Sequence, residues 1–308
     1  MSIDMIVGWL QATLRWGAPL IIVSIGEVYA ERSGVINMGI EGIMLFGALA
    51  GVAVSFLTEN VLLAALFSII LGAVFGLVVA YLTVSRRTNQ VVTGLMLNLA
   101  ALGGSNLLFA LLSESRHQRV ARFPILFPEA FHNIPILGPI LFRQPVSTWI
   151  ALILPFLAAY VLYRTDWGLN VRAVGENPQS AATAGLPVIK LKYQAVILSG
   201  IFAALGGCVL TLGEVGYFAS GGMTAGRGFV VLAAVVVGGW DPIRTALICL
   251  VFGAADAAQL RMQTAGSIIP YQFLQMLPYL ITVIALAGVV GHTRPPKTWG
   301  APYDPKDV

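Results

Sequence analysis

The chain has 308 residues, of which 57% are hydrophobic and only 10% charged, with a formal net charge of +4. A soluble domain carries about 25% charged residues, so an ordinary water-soluble globule is excluded. The small positive excess comes without a basic, aromatic-interleaved patch, which excludes a nucleic-acid surface, and alternating barrel-type strands are absent. An all-α polytopic membrane protein is expected.

The first apolar segment, about Met5–Ala30, is interrupted by Arg15 and Glu27. A charge at the bilayer centre costs about 2.5–3.5 kcal/mol on insertion scales, so both should face protein or water, or lie near an interface. No basic region or convincing cleavage site precedes this span, so it is expected to stay as an anchor. In Glu31–Val54 the first half is Gly-rich and places Asn37 and Glu41 four apart on one helical face. The second half is a small-residue membrane helix. The pattern predicts a helix broken within the membrane, which is tolerated only where backbone packs in protein or lines a cavity. Val61–Val84 is the cleanest span, with Gly72 and Gly76 spaced for close helix contact, and Arg86-Arg87 follows. The span from Asn89 to Leu112 carries Gln90, Thr93 and Asn98, and Gly103-Gly104 suits it to close packing. Ser113–Pro145 reads as a long polar loop, and Val146–Tyr163 as a span.

Between that span and the next lies RTDWGLNVRAVGENPQSAATAGLPVIKLK, Arg164–Lys192. It holds a short helix of its own. Asn177 is an N-cap, Pro178 suits the first helical position, Gly185 can end the helix left-handed and Pro187 forbids continuation. Tyr193–Leu212 is a span, Gly213–Gly226 is Gly-rich, and Phe229–Trp240 is too short to span comfortably before Trp240-Asp241-Pro242 breaks it. Thr245–Leu260 contains Asp256 and Gln259. Pro270–Gly291 is the last span, with a kink expected at Pro278, and His292–Val308 is a polar tail. Because about 20 apolar residues cross a bilayer as a helix, the total is roughly eight to ten spans with broken or re-entrant segments. Gly34–Val54 and Gly226–Ala258 look alike in pattern, a pointer to paired interrupted segments along a transport pathway.

Positive charge sets orientation. Arg86-Arg87, the Arg164–Lys192 loop and the tail (Arg294, Lys297, Lys306) fall on one side, the cytoplasmic one. Ser113–Pro145 is then external despite Arg116, Arg119, Arg122 and Arg143. The N-terminus is outside if Glu31–Val54 is one full span, and inside if that stretch is re-entrant or split.

No catalytic or metal site emerges. There is no phosphate loop, zinc motif or nucleophile elbow. His117, His132 and His292 lie in polar segments and are expected in solvent, while Cys208 and Cys249 are expected as buried small hydrophobes. The polar residues inside spans are the better candidates: Asn37, Glu41, Asn98, Asp256 and Gln259 are expensive there and point to a translocation pathway. Each has a structural alternative. The two asparagines could bond helices together, Asp256 could pair with Arg261, and Glu41 could cap the broken helix.

Four stretches carry a resemblance: ERSGVINMGIEGIMLFGA (Glu31–Ala48), NQVVTGLMLNLAALG (Asn89–Gly103), RAVGENPQSAATAGLPV (Arg172–Val188) and VVVGGWDPIRTALICLVFGAADAAQLRMQ (Val235–Gln263). In order and spacing they resemble the ABC-importer permeases for branched-chain amino acids, ribose and other simple sugars, and within them the nucleoside-type subgroup, in particular the second of two paired permeases. The resemblance implies a type II-like permease domain over 1–291, with a cytoplasmic tail at 292–308, in a bacterial inner membrane. It also implies a heterodimer with a homologous permease, an extracytoplasmic substrate-binding protein and a cytoplasmic ATPase that uses the ATP, so that this chain needs no cofactor. On the same resemblance Arg172, Gly175, Glu176, Asn177, Pro178, Ala181, Ala182 and Gly185 form the ATPase-coupling segment, with Ala181 and Ala182 as its flat contact face. An ion-coupled secondary transporter using Glu41 and Asp256 as proton carriers is the competing class, and a scaffolding membrane protein is a third.

Overall fold

The computed structural model describes residues 3–112, 120–132, 134–264, 273, 276–289 and 294–304. Among them the regular secondary structure is all helical, and the one β-bridge is isolated, Ile125 to Pro145. The helices are α1 (Ile3–Arg32), α2 (Ile40–Thr58), α3 (Val61–Ala80), α4 (Gln90–Leu112), α5 (Glu129–His132), α6 (Val146–Arg164), α7 (Asp166–Glu176), α8 (Pro178–Thr183), α9 (Val188–Val209), α10 (Arg227–Val237), α11 (Pro242–Thr264) and α12 (Leu277–Val289). Short π-helical turns extend α3 to Ser85 and α9 to Val215. Among the described residues, seven helices are long and apolar enough to cross a membrane: α1, α2, α3, α4, α6, α9 and α11. The apolar α10 and α12 are shorter.

Helix α9 is the hub and packs on α1, α2 and α3. In a bilayer helices associate through close packing rather than through a hydrophobic drive, which favours small residues at crossings. The α3–α9 crossing shows the reason: a Cβ on Gly72 would strike the Gly200 carbonyl, and one on Gly200 would strike the backbone of Gly72 and Gly76. By contrast α3 and α4 turn broad apolar faces outward, among them Leu66, Ile70, Val74, Met96, Leu99 and Leu111.

Several sequence expectations need correction. Helix α1 runs on to Arg32, so the break is the segment 33–39. Asn37 lies in that break and Glu41 in the first turn of α2, and they do not share a helical face. The Arg164–Lys192 stretch is mostly helical: α7 precedes the short α8, and α9 begins at Val188 because Val188, Leu191 and Ala195 already face the core. Gly103 makes no close helix contact, with nothing within 4 Å of its would-be Cβ. Pro278 lies in the first turn of α12, where a missing N–H costs nothing, and so makes no kink. The described part of Ser113–Pro145 is an aromatic knot, with Phe127 against Phe131, Phe142 and Trp149. His132 is half-buried there and its covered Nε2 has no hydrogen-bond partner among the described residues. Arg116, Arg119, His117, His292 and Lys306, with residues 270–272, 274–275 and 290–291 of the expected last span, lie outside the described residues.

The tail packs at one end of the bundle. Thr298 bonds Gly175 at the end of α7, and Asp304 pairs with Arg87 between α3 and α4. The C-terminus of α1 is at that end too, since Glu31 bonds Trp299. The N-terminus of α1 and the 120–145 segment are at the other.

Candidate functional site

The break between α1 and α2 exposes backbone polar groups inside the protein, and buried partners satisfy them. Glu27 of α1 accepts the Asn37 backbone N–H (2.9 Å) and the Ser199 hydroxyl (2.7 Å) on its two oxygens. The Asn37 side chain donates to Ser199 (2.9 Å) and accepts from Gly39 N–H (3.1 Å). All three side chains are fully buried. Asn98 of α4 closes the other flank, accepting from Gly42 N–H at 2.8 Å and donating to the Met38 carbonyl at 2.9 Å. Irregular backbone at membrane depth survives only with such partners. Neither asparagine reaches the cavity described below.

Glu41 has a different duty. Its carboxylate accepts from the Thr224 hydroxyl (2.5 Å), Gly226 N–H (2.8 Å) and Gly228 N–H (2.6 Å), and so caps the N-terminus of α10 rather than its own helix. Gly228 is required here, because a Cβ would press into the Glu41 backbone. At the other end of α10, Arg32 donates to the carbonyls of Trp240 (2.9 Å) and Gly239 (3.3 Å). A carboxylate at the N-terminus and a guanidinium at the C-terminus both match the helix dipole. The 11-residue α10 is thus a half-span, about 16 Å long at 1.5 Å per residue, held at both ends by the first half of the chain.

The first residue of α10 opens onto a cavity of about 300 Å³ between α1, α10, α11 and α12, lined by Leu20, Arg227, Phe252, Asp256, Gln259 and Tyr279 among others. Two of the five pathway candidates, Asp256 and Gln259, meet there. The ion-pair partner of Asp256 is Arg227 at 3.3 Å, which corrects the expected pairing with Arg261; Arg261 donates to the Met5 carbonyl. The Arg227 guanidinium lies 5.1 Å from the centre of the Trp16 ring, reaches the Thr224 carbonyl only at 3.4 Å, and has no partner for its covered Nε among the described residues. Tyr279 donates to the Ala225 carbonyl. Arg227, Trp16 and Tyr279 were not among the sequence candidates. The signal available for Arg227 was its place where a Gly-rich stretch meets a helix too short to span.

Helix α8 is capped as its sequence predicts, and α7 before it has a cap of its own. Thr165 accepts from Gly168 N–H at 3.2 Å, Asn177 accepts from Ser180 N–H at 2.9 Å, and Gly185 has φ +83°. Glu176, Asn177, Ser180, Thr183, Ala184 and Gly185 are exposed. Ala181 is not on that face: it is buried against Val171, Val174, Val188, Leu191 and Tyr303, and Ala182 is half-buried beside it. Pro178 is buried as well. Gly175 is enclosed, since any Cβ there would strike the Arg32 carbonyl. Arg172 rests with its guanidinium 5.3 Å from the centre of the Tyr163 ring.

An all-α bundle with a broken helix, a clamped half-span and a capped hairpin at one end defines a polytopic transport permease. The chain matches the family described as branched-chain amino acid transport system / permease component over residues 10–289, and it belongs to that family. It is a permease subunit of an ATP-binding-cassette importer. It is 35% identical to the guanosine ABC transporter permease protein NupQ of Bacillus subtilis, over 96% of this chain and 95% of that one. It is 37% identical to the nucleoside ABC transporter permease protein NupC of Lactococcus lactis, over 94% of each. It is 35% identical to the putative glucose ABC transporter permease protein TsgC13 of Haloferax volcanii, over 93% of each. The same Bacillus and Lactococcus each hold a second permease, NupP and NupB, that matches at 25%. No solved structure matches the chain.

Proposed function

We propose that this permease carries nucleosides inward, paired with a second, homologous permease, loaded by an extracytoplasmic binding protein and driven by a separate ATPase that docks on the α7–α8 hairpin. The hairpin's exposed, doubly capped tip is the observation that carries the reading. A stiff polar surface built from short capped helices suits a rigid moving partner, and the sequence has no phosphate loop of its own. Three basic segments gather at that end: Arg86-Arg87, the hairpin with Arg164 and Arg172, and the tail with Arg294 and Lys297. Their charge supports a cytoplasmic location for the hairpin and the C-terminus in a bacterial inner membrane, with the start of α1 outside.

The Arg227–Asp256–Gln259 cavity is the proposed station on the pathway. A neutral solute with both donors and acceptors suits a loosely paired guanidinium and carboxylate, and Phe252 and Tyr279 add aromatic surface for a base. The two nucleoside-type relatives favour this substrate, while the glucose-type relative at the same identity favours a sugar. The test is uptake by the complete importer in proteoliposomes. Guanosine uptake that requires ATP, and that excess inosine suppresses while excess glucose does not, is the expected result. Suppression by glucose alone favours the sugar, and gradient-driven uptake by this chain without ATP or partners overturns the importer reading.

A further inference from the structure

We infer that the C-terminal tail is the link that carries movement of the α7–α8 hairpin to α10, and through α10 to Arg227 in the cavity, which makes Thr298, Trp299 and Glu31 positioning residues for transport. The inference rests on the reading of the hairpin as the ATPase dock.

The contacts form one continuous series. Thr298 grips the Gly175 carbonyl at the end of α7 twice, through its backbone N–H (3.1 Å) and its hydroxyl (2.7 Å). Its neighbour Trp299 donates its indole N–H to Glu31 at 2.8 Å. The same Glu31 oxygen accepts the indole N–H of Trp240 at 2.5 Å, and the two indole rings meet edge-on with centres 5.8 Å apart. Trp240 follows α10 after two glycines and is held at φ +57°, with Gly239 at φ +66°. A bulky residue in the left-handed region persists only where its surroundings over-determine it. Here the surroundings are Glu31 on the ring and Arg32 on the carbonyls. A displacement of Gly175 relative to α1 moves Trp299 against Glu31 and the Trp240 ring, and so acts on the strained end of α10. A rigid half-span passes such a displacement to its far end, where Arg227 faces Asp256.

The tail is anchored to the moving side at a second place. Tyr303 is buried in the cluster of α7, α8 and α9 that holds Val171, Ala181 and Leu191, and Gly300 N–H bonds the Gly34 carbonyl in the α1–α2 break at 3.1 Å. It thus bridges the hairpin and the α1–α2 break, two elements that rocking bundles would shift against each other.

The experiment uses the complete importer in proteoliposomes with labelled guanosine, reading uptake, ATP hydrolysis and subunit assembly together. Thr298→Val removes the hydroxyl at constant size, Thr298→Ser restores it, and Trp299→Phe keeps the ring edge but loses the donor. Wild-type uptake tests the substrate and docking reading, and the ratio in the variants tests the link. The expected result is guanosine moved per ATP falling at least five-fold in Thr298→Val and Trp299→Phe, with assembly and ATP hydrolysis unchanged and Thr298→Ser close to wild type. Uptake and hydrolysis falling in proportion, loss of assembly in Thr298→Val, or an unchanged ratio in both variants overturns the inference.

Discussion

Two polar regions sit in the apolar body of this permease, and they are built in opposite ways. Around the α1–α2 break, Glu27, Asn37 and Ser199 are fully buried, and their mutual bonds fall between 2.7 and 2.9 Å. Around the cavity, Arg227 and Asp256 face each other at 3.3 Å, the guanidinium Nε has no partner among the described residues and an open space lies alongside. Both regions contain ionisable groups that are costly in a membrane. The first uses them to complete the bonding of backbone that is not helical. The second keeps bonding capacity in reserve. Cost alone therefore does not identify a pathway residue; unused bonding capacity beside a cavity does. Glu41 shows the same distinction. It was a pathway candidate alongside Asp256, yet its two oxygens already hold three donors at the start of α10.

The largest effect is expected where the bonding is saturated. Glu27→Leu leaves the Asn37 N–H and the Ser199 hydroxyl buried without their acceptor, at about 1–3 kcal/mol for each orphaned group. The expected outcome is loss of the monodisperse peak in detergent, or a markedly lower melting temperature, before transport can be assayed. A variant that melts with the wild type would show that the break does not depend on this network. Asp256→Asn should do the reverse. It removes one loose ion pair beside a space that solvent can enter, so about 1 kcal/mol of stability is at stake. Uptake by the assembled importer should nonetheless fall at least ten-fold, because the change acts on the charge facing the cavity. Equal losses of melting temperature and uptake would place Asp256 with Glu27 and erase the distinction.

What the sequence made legible follows from the range of the forces involved. Spans were legible because a bilayer demands apolar length. The caps at Asn177 and Gly185 were legible because they are local chemistry. The break was legible as a Gly-rich interruption, although the sequence set it inside one helix and put Asn37 on a helical face. Helix α7 was missed because Asp166, Asn170, Arg172 and Glu176 give it a polar average, and its buried stripe of Gly168, Val171 and Val174 is narrow. The partners of Glu41, Arg32 and Glu31 could not be read at all, since each lies across the fold on a segment distant in sequence. The tail looked like a solvated end for the same reason: Trp299 and Tyr303 acquire their meaning only from Trp240 and the α7–α9 cluster. Ala181 was assigned to the contact face because small residues look alike whether they pack inward or lie flat outward.

The smallest effect is expected on α4, at the opposite extreme from the saturated break. Gly103 lies on an outward face, and a Cβ built on it meets nothing within 4 Å. Within this chain, Gly103→Ala should therefore raise stability slightly, by about 0.5–1 kcal/mol, because glycine loses more backbone freedom in a helix than alanine does. Its value is as a control on the comparison. Glu27 responds through bonds inside this chain and Asp256 through the cavity, whereas Gly103 can respond only to something outside the chain. The measurement is the melting temperature of the isolated subunit set beside the yield of the complex with the second permease. A small rise in the first with no change in the second assigns this face to lipid. A loss of complex with an intact subunit shows a neighbouring helix within a methyl group's reach of Gly103.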